Sequence, residues 1–137
     1  TDALAKEIKS RYPHRKVYIY PDASGGNRST NATRTDIQIL ESYGFSNQSP
    51  KANPPVRDRV AAVQAALENG KGEVRLQIAQ QCIRTIESLE LQSYTDKGEP
   101  DKDAGYDHMN DALGYLVWRE LNPLYVNAGR GTGIRLY

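Results

Sequence analysis

The sequence predicts an α/β domain, a mixed sheet flanked by helices, and three observations carry that prediction. Two short segments, "KVYIY" and "EVRLQI", alternate apolar positions and are rich in β-branched or aromatic side chains, as half-buried strands are. Longer stretches between and after them repeat apolar residues at helical spacing. Strands interleaved with helices belong to a layered α/β architecture. With 137 residues the chain has the length of one ordinary domain, so one domain is expected over 1–137.

In chain order, "LAKEIKSRYP" sets Leu4 and Ile8 one turn apart and stops at Pro13, a short helix. "KVYIY" follows as a strand, with Asp22 just past its C-terminal end. "ASGGNRSTNAT" is a loop or weak hairpin of small, turn-forming residues. Ile37, Leu40 and Tyr43 read as a helix that Gly44 ends, and "FSNQSPKA" has room for a short strand. "NPPVRDRVAAVQAALENGKG" is the clearest helix: Asn53 is its expected cap, Pro54 its first residue, Gly70 its end, and Val56, Val60, Val63 and Leu67 its apolar stripe. "EVRLQI" is the second good strand. A helix over about Gln80 to Gln92 then carries Ile83, Ile86 and Leu89, and "TDKGEPDKDAG" is a charged loop. The last helix, "YDHMNDALGYLVWREL", is expected to bury Met109, Ala112, Leu113, Leu116 and Val117 and to stop before Pro123. The glycine-rich segment 124–137 reads as a flexible tail.

Composition narrows the function. Eighteen basic against 17 acidic residues leave a formal charge of +1, so any surface for nucleic acid must be a local patch. Cys82 has no partner for a disulfide or a zinc motif, which suits a reducing compartment. No apolar run is long enough to span a bilayer, and "TDALAKEIKS" lacks a signal-peptide core, so no membrane partner is expected. An initiator Met is missing, as in an excised or processed domain.

Chemistry concentrates in the last helix. Asp107, His108 and Asp111 project within one arc of about 100°. Carboxylates a turn apart repel unless a cation or proton relieves them. For Asp107 and His108 the ordinary reading is decoration of a helix N-terminus. Asp111 lies a turn further in, next to the core-forming "AL". Hard divalent cations take carboxylate oxygens, and one helix cannot hold a catalytic pair of ions, so a second element must contribute. Asp22 at a strand end is the candidate, because ligands gather at the carboxyl ends of strands in α/β sheets. Alone it would read as an Asx-turn.

Together, "VYIYPDASG" and "DHMNDALGY" resemble the nuclease domain of the large terminase subunit of tailed bacteriophages, a domain of the ribonuclease H-like superfamily. The second stretch matches the His-x-x-Asp-Ala-x-x-Tyr pattern of the family's terminal helix, and "NPPVRDRVAAVQAALENGKGEVRLQI", with the cysteine and "IESLE" after it, resembles the central region. The resemblance runs from Lys16 to Pro123. It implies a ribonuclease H-like fold with trimmed or short second and third strands, and a metal-dependent endonuclease that cuts double-stranded DNA in concatemeric viral genomes. By position, Asp22 and Asp111 match the outer acids of the family's cluster and His108 its histidine. Asp58 is the choice for the middle acid, although a first-turn aspartate also suits a helix dipole; Asp107 is a substitute ligand and Asp36 a distant fourth. The implied cofactors are two divalent cations, Mg2+ or Mn2+. The implied partners are DNA, the ATPase domain of the same subunit, the small terminase subunit and the portal, in the host cytoplasm. No G-x-x-x-x-G-K-[ST] motor loop occurs in the chain. Arg28, Arg34, Lys51, Arg57, Lys97, Lys102 and Arg130 are candidate DNA backbone contacts, each ordinarily a solvated side chain. Two other classes stay open: a junction resolvase-like nuclease of the same fold, and a noncatalytic nucleic-acid-binding or assembly module.

Overall fold

The computed structural model describes residues 1–26, 34–122 and 134–136. The chain divides into two compact units, Thr1–Asn53 and Pro54–Tyr137.

In the first unit, helix α1 (Asp2–Arg11) precedes strand β1 (Tyr18–Ile19), helix α2 (Asp36–Ser42) and strand β2 (Ser46–Asn47). β1 and β2 pair in parallel, Tyr18 with Ser46 and Ile19 with Asn47. Between β1 and α2, Ala23–Gly26 form a single 3₁₀ turn. Thr35 caps α2 with a complete capping box: its hydroxyl accepts the Gln38 N–H at 3.1 Å, and the Gln38 side chain accepts the Thr35 N–H at 3.0 Å. At the other end Gly44, at φ +78°, takes the left-handed conformation that a helix C-terminus favours in glycine. Among the described residues, Ala5, Ile37 and Phe45 are the buried apolar residues of this unit.

The second unit holds the larger core. Helix α3 (Val56–Leu67), strand β3 (Leu76–Ile78), helices α4 (Ile83–Leu91) and α5 (Asp107–Leu121), and strand β4 (Ile134–Leu136) follow in order. β3 and β4 pair in parallel with Leu76 opposite Ile134. α3 and α4 both pack on α5. Val63, Ala66, Leu76, Leu113, Val117 and Leu121 form one buried cluster, and Leu89 and Leu116 close over it. The Arg75 guanidinium donates to the Leu121 carbonyl at 3.2 Å, satisfying an acceptor that the end of α5 would otherwise leave open.

Several expectations need correction. Asn53 does not cap α3; its Oδ1 accepts the Ala23 N–H at 2.6 Å, and the helix starts after Pro55, whose extended backbone (ψ 139°) delays it past Pro54. α3 ends at Leu67, before Gly70, and Asn69 turns the chain by accepting the N–H groups of Lys71 and Glu73. The buried face of α3 carries Arg59, Val63 and Ala66, rotated from the expected valine stripe. Val74 is 54% exposed, and α4 begins only at Ile83, which is 69% exposed. On α5 Met109 and Ala112 face outward, while Leu113, Gly114, Val117 and Leu121 are buried. Most of the expected flexible tail lies outside the described residues, and its residues Ile134–Leu136 are the strand β4. The strands are short, as a trimmed sheet requires, and the two strand pairs described are both parallel.

Candidate active site

α5 presents its three candidate side chains at the edge of the face it buries. Going round the helix, Asp107, Asp111 and His108 come in that order, and their side-chain exposures rise in the same order: 6%, 40% and 88%. The arc thus runs from the protein interior into solvent, with Asp111 at the boundary. Asp107 occupies the first helical turn, where the dipole favours an anion. It is buried there, and among the described residues its Oδ1 has no hydrogen-bond partner. Its Oδ2 lies 3.9 Å from His108 Nδ1. A buried carboxylate oxygen without a donor is costly.

Asp111 is held from the buried side. Arg59 of α3, itself 5% exposed, brings Nη1 to 3.0 Å from Asp111 Oδ1. The approach is out of line with the N–H, and neither Nη1 nor Nε has a well-directed acceptor among the described residues. The guanidinium lies over the Tyr115 ring, 4.4 Å from its centroid, a stacking that suits arginine's planar cation. Gly114 packs beside the arginine stem: a Cβ there would stand at ordinary contact distance, 3.5 Å from Arg59 Cβ. A cavity of about 130 Å³ opens between α3, α4 and α5, lined by Arg59, Val60, Leu89, Gln92, Asn110 and Asp111. Asn110 fixes one wall by donating to the Ser88 carbonyl at 2.8 Å and to Gln92 Oε1 at 3.2 Å.

Asp58, in the first turn of α3, is exposed, one residue before the arginine that meets Asp111. In the first unit Asp22 is half-buried between β1 and the 3₁₀ turn, and its Oδ2 accepts the Ser24 hydroxyl at 2.8 Å. This bond joins two side chains across the start of the turn. Asp36 opens α2 and accepts a hydrogen bond from the Thr1 hydroxyl, which gives it a structural role. Within each unit, among the described residues, no three His, Cys, Asp or Glu side chains converge as a metal-ligand group.

Of the basic candidates, Arg34, Lys51, Lys97 and Lys102 are exposed, and Arg57 donates from Nη2 to the Lys97 carbonyl. Arg28 and Arg130 lie outside the described residues. Arg59 was not among the candidates. Its signal was its place four residues before Val63 and seven before Ala66, a core spacing hidden by a charged residue type. Among the described residues no helix is long and apolar enough to cross a membrane.

No curated protein and no solved structure showed significant similarity to the chain. The family model for the terminase RNase H-like domain, however, matches residues 1–120, a span that takes in both units' candidate acids. The chain therefore belongs to the terminase RNase H-like domain family and is a terminase nuclease module of ribonuclease H-like fold.

Proposed function

We propose that the chain is the metal-dependent endonuclease of a DNA-packaging terminase, one domain over 1–137 that cuts concatemeric double-stranded viral DNA in the host cytoplasm. The observation that carries this reading is the pair of carboxylates on α5: Asp111 at the solvent boundary and, one turn before it, Asp107 with a buried oxygen lacking a donor. Ribonuclease H-like nucleases generally use divalent metals, and the donor chemistry fits such an ion. Carboxylate oxygens are the hard ligands that Mg2+ and Mn2+ select, and Asp107 Oδ1 is a ligand atom in want of a partner.

On this reading Asp22, Asp58 and Asp111 hold two ions, with Asp107 as a further ligand. Bound there, the ions supply Lewis acidity and lower the pKa of a coordinated water. The carboxylates bring the negative charge that retains the ions without themselves attacking phosphorus. His108, on the solvent side of the arc, is placed to ligate an ion, orient water or move a proton at Nδ1 or Nε2. In the net reaction the water oxygen forms the new bond to phosphorus, the bond to the 3′ oxygen breaks, and a 5′ phosphate and a 3′ hydroxyl leave. Exposed Arg34, Lys51, Lys97 and Lys102 are proposed to meet the DNA backbone. The ATPase domain of the same subunit, the small terminase subunit and the portal are the proposed protein partners.

Plasmid nicking with Mn2+ or Mg2+ tests the reading: wild type nicks, and Asp22→Asn and Asp111→Asn do not. Full cleavage by both variants would leave the noncatalytic binding module as the better account. A preference for branched over linear duplex would favour a junction resolvase-like nuclease.

A further inference from the structure

We infer that Arg59 is a positioning residue that sets the affinity of this site for divalent cations, by holding the Asp111 carboxylate against competition from the ion; the inference rests on the nuclease reading of Asp111. A guanidinium that is 5% exposed needs an anion, and the anion here is Asp111 at 3.0 Å. Asp111 sits between two positions for positive charge. On its inner side the position is filled by Arg59; on its outer side the carboxylate is 40% exposed and open to a hydrated ion.

Arg59 is poorly placed to withdraw. Its stem lies along Gly114 and its head over the Tyr115 ring, so a cation arriving at Asp111 meets a fixed positive charge at close range. The two charges repel at short range across the solvent boundary, which weakens the ion's binding. The same arrangement keeps the resting carboxylate neutralised, so that Asp111 does not repel Asp107 one turn away at full strength. Arg59 also has donors to spare: Nε and Nη1 lack well-directed acceptors and lie beside the cavity wall. An ion that takes Asp111 would loosen its contact with the guanidinium, which stays in place beside the cavity wall.

The test is Mn2+ affinity of the full chain, read from the electron paramagnetic resonance signal of free Mn2+, with no turnover involved. Arg59→Met, which removes the charge and keeps much of the stem, should bind Mn2+ about tenfold more tightly or better. Arg59→Lys, which retains the charge, should stay nearer to wild type than Arg59→Met does. Unchanged or weaker binding by folded Arg59→Met overturns the inference, and weaker binding rescued by Arg59→Lys would mean that Arg59 orients the ligand instead of competing for it. Should Arg59→Met fail to fold, wild type gives the same decision: in a Mg2+ titration the Arg59 Nε resonance should move together with the Asp111 carboxylate signal, and an Nε signal that stays still at saturation overturns the inference. Asp111→Asn separates the two levels. If it leaves wild-type Mn2+ binding intact, or if neither wild type nor Arg59→Met binds the ion, the nuclease reading fails and the inference with it. If Asp111→Asn abolishes binding while Arg59→Met changes nothing, the inference alone fails.

Discussion

The two units keep their candidate acids in place by different means. In Pro54–Tyr137 a continuous apolar cluster of three helices and a strand fixes α5, and Asp111 is pinned by a buried arginine at its edge. Among the described residues of Thr1–Asn53 the buried apolar ones are Ala5, Ile37 and Phe45, and Asp22 accepts a local hydrogen bond from Ser24 in a turn after a two-residue strand. An acid anchored by a packed core loses its geometry only when the core does, whereas one anchored in a turn depends on each nearby hydrogen bond.

The largest expected effect breaks the comparison at the chemistry. Asp111→Asn should lower metal-dependent nicking by roughly a hundredfold or more, since even the outer partners of metal ligands are worth 10–100-fold. Asp22→Asn should match it. A much milder loss for Asp22→Asn, measured on folded protein, would mean that the second unit carries the chemistry alone. Next comes the core: Leu76 is 1% exposed, and Leu76→Ala should cost about 2–5 kcal/mol in chemical denaturation. Thr35→Ala, which removes half of the capping box in the first unit, should cost about 1 kcal/mol. If the two variants cost the same, the contrast between packed and hydrogen-bonded units does not hold.

Gly114→Ala should be gentler still. A methyl there meets Arg59 at ordinary contact distance, so the gain in helix propensity, up to about 1 kcal/mol, should show as a small rise in melting temperature. The smallest effect concerns pH in the first unit. The Lys6 ammonium and then the Tyr43 hydroxyl hold the Asp2 carboxyl below its ordinary value, while Asp2 raises both Lys6 and Tyr43. A lowered carboxylate contributes above its unfolded value near 3.8 and loses that contribution as pH falls through the lowered one. The raised Tyr43 contributes below about 10 and loses its share as pH rises through the raised value. NMR titration should thus find α1 tied to Tyr43 between these limits and loosened slightly beyond either.

Much of this was legible in the sequence where local rules decide. Gly44 and Leu76 stand where the glycine stop and the alternating strand place them, and the arc of Asp107, Asp111 and His108 follows from helical geometry alone. Rotation of a helix about its own axis was less legible, because packing partners set it. On the inner face of α3 Arg59 is buried where Val60 was expected, beside Gly114 and Asp111 of a different helix. Asn53 misled for a related reason: its side chain satisfies the Ala23 amide, which lies far away in sequence.

The pairing of β3 with β4 has a consequence for the order of events during synthesis. Leu76 opposes Ile134 in parallel register, so β3 is paired by residues that lie far along the chain, beyond α4 and α5. Until β4 is made β3 lacks this mate, and α3, α4 and α5 are free to assemble before the ladder closes. The second unit is therefore expected to fold in two stages, helices first and sheet afterwards, with β4 closing on a core already formed.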